Sequence, residues 1–259
     1  MMLHIPRRLF SISLVIVLTM TGAATARSET ATLKGKFVLD GPTPVEQKIT
    51  VNQDAAVCGK HNLVKEALVV NKEREIKNVC IWLYAPKLKA PAGQPAPGPA
   101  VLDNHDCKFT PHILTMTAGQ VLELKNSDPV AHNTKGSPRN TAEFNVIIPA
   151  NGSQLIKTIT KPESKPFQVG CNIHAWMTGY VIVTEGPYAA VTGDDGSFEI
   201  KGLPVGTQLE FQVWQERGGY VKDVTVDGKK ATWSLGRFKK TLTAGDNDLG
   251  TIKAKIGGG

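Results

Sequence analysis

Short runs in which apolar and polar residues take turns recur along the chain. Leu122 and Leu124 alternate with Glu123 and Lys125, and Leu209, Phe211 and Val213 alternate with Gln208, Glu210 and Gln212. Tyr180, Ile182 and Thr184 alternate with Val181 and Val183. Side chains of a strand point to opposite faces in turn, so a period of two predicts half-buried strands. Clusters of Gly, Pro, Asn and Asp separate these runs, as turns between strands of an antiparallel sandwich would. The only helix the pattern suggests is a short piece near Asp54 to Lys60. The predicted fold class is all-β.

Composition agrees with that reading. Over 259 residues, 41% are hydrophobic and 20% charged, which is globular composition rather than that of a disordered chain. Gly (25) and Pro (16) are plentiful, as many turns require. The formal charge is +7, yet the lysines are dispersed and no basic stripe is interleaved with aromatics. A nucleic-acid partner is therefore not expected.

The ends and seams of the chain divide it further. Arg7-Arg8, the apolar run Leu9 to Leu18 and the small residues Gly22 to Ala26 follow the order of a secretory signal peptide, residues 1–26, cut after Ala26. That run is too short for a bilayer, which needs roughly 20 apolar residues, and no later segment suggests an integral membrane span. The mature chain is expected to be periplasmic or secreted, where thiols oxidise. Residues 86–99 form a Pro/Ala/Gly linker of polyproline character. It separates an N-terminal β segment, 27–85, from a central block, 100–186, and Gly186-Pro187 opens a last block, 187–256. Asp194-Asp195-Gly196 in that block reads as a hairpin turn rather than a calcium site, because no further carboxylates follow at ligand spacing.

The chemistry concentrates in Cys171-Asn172-Ile173-His174-Ala175-Trp176-Met177. A thiol, an imidazole and a thioether on one short loop suit copper and make a poor calcium or magnesium site. A trigonal site needs another imidazole, and His132, after the strand expected over Val121 to Asn126, is the candidate.

Block 100–186 resembles a cupredoxin of the plastocyanin and amicyanin family. Its Cys-x2-His-x2-Met loop is similar to the short amicyanin form. Phe109-x-Pro111, Gly119 and Asn126-x-Asp128 are similar to the family's approach to the first ligand. Gly170 departs from it, standing where an aromatic residue is common. The resemblance implies a Greek-key β-sandwich with one type 1 (blue) copper. His132, Cys171 and His174 would be equatorial ligands and Met177 a weak axial one. Asn133 would tie the ligand loops together and help hydrogen-bond the thiolate, and His174 would be partly exposed as a route for the electron.

Blocks 27–85 and 187–256 resemble the transthyretin-like regulatory domain of carboxypeptidases, through Gly35-Lys36-Phe37-Val38, Asp195-Gly196-Ser197-Phe198 and Leu203-Pro204-x-Gly206. The N-terminal part would then complete the C-terminal sandwich, with the cupredoxin block inserted. The combination resembles exported proteins of the methylamine-utilisation type.

With Cys171 given to copper, Cys80 in an apolar strand reads as a buried inert thiol, and Cys58 and Cys107 beside turns become the disulfide candidates. His61, His105 and His112 read as surface or strand-end residues, and Trp176 as packing over the ligand loop. The resulting function is that of a one-electron carrier with a protein redox partner that nothing in the sequence identifies. The alternative is a copper-scavenging or structural protein of the cell envelope. No catalytic residues are expected: the histidines are too few for further copper sites, and no nucleophile–base pair is suggested by spacing.

Overall fold

The alternating runs become strands with one face in a core. In Leu122–Asn126 both leucines are buried while Lys125 is exposed. The computed structural model describes Met1, residues 29–84 and residues 98–257. The leader expected over 1–26, Met1 apart, and the linker expected over 86–99, apart from Gly98 and Pro99, lie outside the described residues.

The chain is an all-β sandwich protein. One sheet has the order Ser197–Pro204, Thr30–Leu39, Gly245–Ala254, Asp223–Val226, Lys229–Thr232. A second runs Ala189–Val191, Val79–Leu83, Gln208–Gln215, Gly219–Tyr220, and Arg237–Thr241 also pairs with Gln208–Gln215. Leu33, Phe37, Ile81, Phe211, Val213 and Ile252 from these two sheets share one core. Strands from both ends of the chain thus lie side by side in each sheet.

The intervening residues form another pair of sheets. One orders Phe144–Ile148, His132–Gly136, Phe167–Gly170, Thr178–Thr184, Ile113–Thr117, and the other Ser153–Ile156, Leu122–Asn126, Ala100–His105, Lys108–Thr110. Leu102, Phe109, Leu122, Ile148, Val169 and Val181 fill the space between them.

The expectation of an antiparallel sandwich needs correction at three strand pairs. Thr30–Leu39 with Gly245–Ala254, Thr178–Thr184 with Ile113–Thr117, and Ala100–His105 with Leu122–Asn126 pair in parallel. Each pair joins strands that are distant in sequence or separated by another element, which is what a parallel pair requires.

Thr178–Thr184 is buried on both faces from Val181 onward. Val181 and Val183 enter the core of their own sandwich, whereas Ile182 meets Cys80, Trp82 and Trp214 of one sheet of the other sandwich. Tyr180 packs on Trp214 with ring centroids 4.9 Å apart. The alternation there separates two buried faces rather than a buried face from a wet one.

Residues 47–65 leave the sheets and close on themselves through Ile49 N–H to Leu63 O (2.9 Å) and Lys65 N–H to Gln47 O (2.9 Å). This loop carries the short helix Ala55–Cys58. At the other expected turn, Asp195 Oδ1 accepts from the Ser197 N–H (3.0 Å) and hydroxyl (2.7 Å), and Gly196 takes φ +70°. That is turn chemistry, as a glycine in the left-handed region allows.

Candidate metal centre

His132 opens the strand His132–Gly136 and is fully buried. The turn before it is pinned by Asn126, whose Nδ2 donates to the carbonyls of Val130 (2.8 Å), Ile148 (3.1 Å) and Pro149 (3.0 Å). Asn126 Oδ1 accepts the Asp128 N–H at 3.0 Å, and Asp128 Oδ2 lies 2.9 Å from His132 Nε2. Asp128 is itself fixed by the N–H groups of Asp106 (2.8 Å) and Cys107 (2.9 Å).

Cys171, His174 and Met177 sit on the loop joining Phe167–Gly170 to Thr178–Thr184. That loop is tight: Met177 N–H donates to His174 O (2.9 Å), Cys171 N–H to Met177 O (3.2 Å), and His174 N–H to Cys171 Sγ (3.4 Å). Asn133 clamps it from the neighbouring strand, its Oδ1 accepting the N–H groups of Asn172 (2.7 Å) and Ile173 (3.2 Å).

These elements bring three donors together. Cys171 Sγ is 4.0 Å from His132 Nδ1 and 3.8 Å from His174 Nδ1, and the three ligand atoms lie within 4.8 Å of one another. Donors at ~2.3 Å (S) and ~2.0 Å (N) from one ion and ~120° apart would stand ~3.7 Å from each other. Each Nε2 is occupied by a carboxylate, so both Nδ1 atoms are left to face the sulfur. A buried thiolate with two imidazoles is the trigonal donor set of blue-copper sites. The residues present therefore fit copper. Met177 is buried at the same place in the loop and packs in the core with Cys171.

The electrostatics are those of coupled groups. Burial alone would raise the Cys171 thiol, but His132 and backbone hydrogen bonds around the sulfur outweigh it and hold the thiol below its ordinary range. Burial disfavours a charged His174, and the neighbouring His132 adds to this, so its imidazole is held down despite Asp54. His132 goes the other way: burial lowers its imidazole, but Asp128 and Cys171 outweigh that and hold it up at about 9, so a metal would have to displace its proton.

One expectation is overturned. His174 is not partly exposed: its side chain has 0% exposure, and Nε2 is 2.9 Å from Asp54 Oδ2. The loop 47–65 covers the edge that was expected to face solvent. Trp176 covers another side, edge-on to His174 at 5.1 Å between centroids, with Nε1 donating to Cys107 O at 3.1 Å.

The remaining cysteines and histidines separate cleanly. Cys58 and Cys107 are joined by a disulfide across 49 residues of sequence. Cys80 is free and fully buried, and burial pushes its thiol far up. His61 and His105 each stand 3.5 Å from the Asp106 carboxylate near the surface. His112 is buried, with Nε2 2.6 Å from Glu216 and Nδ1 3.7 Å from Glu66. Those carboxylates lie on opposite edges of the ring and do not share one ion with it. Among the described residues the other candidate metal group, Cys107, Asp128 and His132, loses its thiolate to the disulfide.

Sequence reasoning missed the two carboxylates behind the imidazoles. Asp128 lies four residues before His132 in the quoted motif, so its spacing was a usable signal. Asp54 is 120 residues from His174, and nothing local connects them.

No family model matches the chain, and no curated protein does. Solved structures do. The chain is similar to a Cu-containing nitrite reductase (NirK) from Thermus scotoductus SA-01, at 22% identity over 40% of this chain and 27% of that one, with TM-score 0.32. It thus spans about a quarter of that enzyme's length. It is similar to amicyanin from Paracoccus versutus, at 23% identity over 40% of this chain and 96% of that one, TM-score 0.29. It is also similar to a purple cupredoxin from Nitrosopumilus maritimus, at 19% identity over 34% of this chain and all of that one, TM-score 0.28.

Proposed function

We propose that the protein is an exported copper protein with a single type 1 centre that carries one electron at a time. The observation that supports this best is the convergence of Cys171 Sγ with the Nδ1 atoms of His132 and His174 in a buried pocket. Met177 would serve as the weak axial donor. Copper bound there would supply a one-electron couple. The protein's own part is to hold the donors in place before and after electron transfer. Asn133 fixes the loop to the strand of His132, and Asp128 and Asp54 fix the two rings. A donor set that need not move keeps reorganisation small.

Residues 27–85 and 187–256 are read as one transthyretin-like sandwich, with the cupredoxin block 100–186 inserted. The disulfide supports export, because such bonds persist in oxidising compartments. No helix among the described residues is long and apolar enough to cross a membrane. The reading is that of a carrier rather than an enzyme: among the described residues one metal group keeps all its ligand atoms available.

The burial of His174 favours a second reading, a copper-scavenging or structural protein of the cell envelope that does not exchange electrons. Repeated oxidation and reduction of the copper-loaded protein, with copper quantified after each cycle, separates the two. A carrier cycles quickly and keeps its metal. Slow cycling with transfer of copper to a competing chelator or acceptor protein supports scavenging instead.

A further inference from the structure

We propose that Asp54 is a positioning residue of the metal centre, holding His174 from the side opposite the thiolate and biasing the bound ion toward its oxidised state. This inference rests on the copper reading above.

The two nitrogens of an imidazole lie on opposite edges of the ring. With Nδ1 turned toward Cys171 Sγ, His174 Nε2 keeps the proton and donates it to Asp54 Oδ2 at 2.9 Å. A carboxylate in that place fixes the tautomer and the ring orientation and makes the ring a stronger donor. The arrangement mirrors His132 and Asp128, also at 2.9 Å. Each metal-facing ring therefore has a carboxylate behind it.

The two carboxylates reach the centre by different means. Asp128 belongs to the turn that carries His132. Asp54 arrives on the loop 47–65, and that loop is built to hold it. Its backbone takes a left-handed conformation (φ 46°, ψ 42°) at the start of the helix Ala55–Cys58. Its carbonyl accepts the N–H groups of Val57 and Cys58, both at 2.9 Å. Cys58 is then bonded to Cys107, whose N–H donates to Asp128. Ile49, Val51, Val57 and Leu63 pack with the disulfide and Trp176, which rests on His174. Covalent staple, apolar patch and carboxylate thus converge on one ligand.

A negative charge beyond the ligand stabilises a doubly charged ion more than a singly charged one, and it does so more strongly where water is excluded. Asp54 is one-third exposed, so its effect is partly screened and smaller than that of buried Asp128.

The test uses the mature, copper-loaded protein and two variants, Asp54→Asn and Asp54→Ala. Asparagine keeps the side chain's shape and one acceptor oxygen for the His174 N–H, and replaces the charge and the second oxygen with an amide NH2. Three quantities are read: the visible spectrum, the dissociation constants for Cu(II) and Cu(I) by chelator competition, and the midpoint potential. Both variants should stay blue and lose tenfold to a hundredfold in Cu(II) affinity, the usual cost of removing such a partner. Cu(I) affinity should fall less, so the potential rises, by about 59 mV for each tenfold change in the ratio of the two affinities. If Asp54→Ala does not fold, Asp54→Asn decides alone. Blue variants with wild-type affinities and potential overturn the role of Asp54 and leave the copper reading standing, whatever their melting temperatures. Wild-type protein that binds copper without becoming blue overturns both.

Discussion

Asn133 Oδ1 takes the Asn172 N–H at 2.7 Å, so one side chain joins the strand that carries His132 to the loop that carries Cys171, His174 and Met177. The same oxygen takes the Ile173 N–H, and Asn133 Nδ2 is anchored on Asn145 Oδ1 at 2.8 Å. Asn133→Ala removes the side-chain partner of two N–H groups on the exposed part of the ligand loop. Each such hydrogen bond contributes about 0.5–1.5 kcal/mol net. The variant should melt several degrees lower, and its thiolate-to-copper band should broaden as the loop loosens. Thermal unfolding and the visible spectrum, taken on the same sample, check both halves.

Replacing Cys58 and Cys107 together with alanine opens a covalent loop of 49 residues. On the chain-entropy model this lowers stability by about 4 kcal/mol. Because the disulfide holds the loop that bears Asp54, copper affinity should fall as well. Denaturant unfolding of metal-free protein measures the first effect, and chelator competition the second. An unchanged midpoint denaturant concentration would contradict the assigned role of the bond.

The two free thiols should behave differently toward an alkylating reagent. Burial raises Cys80, so it stays protonated and shielded, and mass spectrometry should find it unmodified even at pH 9 until the protein unfolds. Cys171 is held below the ordinary thiol range, so in metal-free protein it should react first, and copper should protect it. Early labelling of Cys80 in folded protein would contradict its placement.

Much of this was legible in the chain. Period-two runs such as Leu122–Asn126 give strands because one face of that strand is buried and the other is wet. The ligand loop was legible because its donors lie within seven residues, and Asn126-x-Asp128 placed His132 at a strand end. Other features depend on contacts that local patterning does not encode. Nothing in Tyr180 to Thr184 says that its second face meets Trp82 and Trp214 of a distant sheet. The parallel pairing of Thr30–Leu39 with Gly245–Ala254 joins the two ends of the described chain, and periodicity is blind to strand direction. The cover over His174 escapes local reading for the same reason: Asp54 stands at the start of a short helix 120 residues away, and nothing near it points to the ligand loop.

Met177→Leu isolates the proposed axial donor. Leucine is close in volume and apolar, so the buried site beside Cys171 should still fold and bind copper. The midpoint potential should shift, because the axial ligand tunes it. A potential equal to that of the wild type, with copper bound at full stoichiometry, would remove Met177 from the ligand set.

The central claim is that Cys171 binds copper as a thiolate in the plane of His132 and His174. The most direct measurement is the visible absorption spectrum of purified, oxidised mature protein with copper quantified on the same sample, beside that of Cys171→Ser. The account predicts one copper per chain, an intense blue thiolate-to-copper charge-transfer band, and loss of that band in Cys171→Ser, whose hydroxyl stays protonated where the thiol ionises. Copper-loaded, oxidised wild-type protein without the band would contradict it.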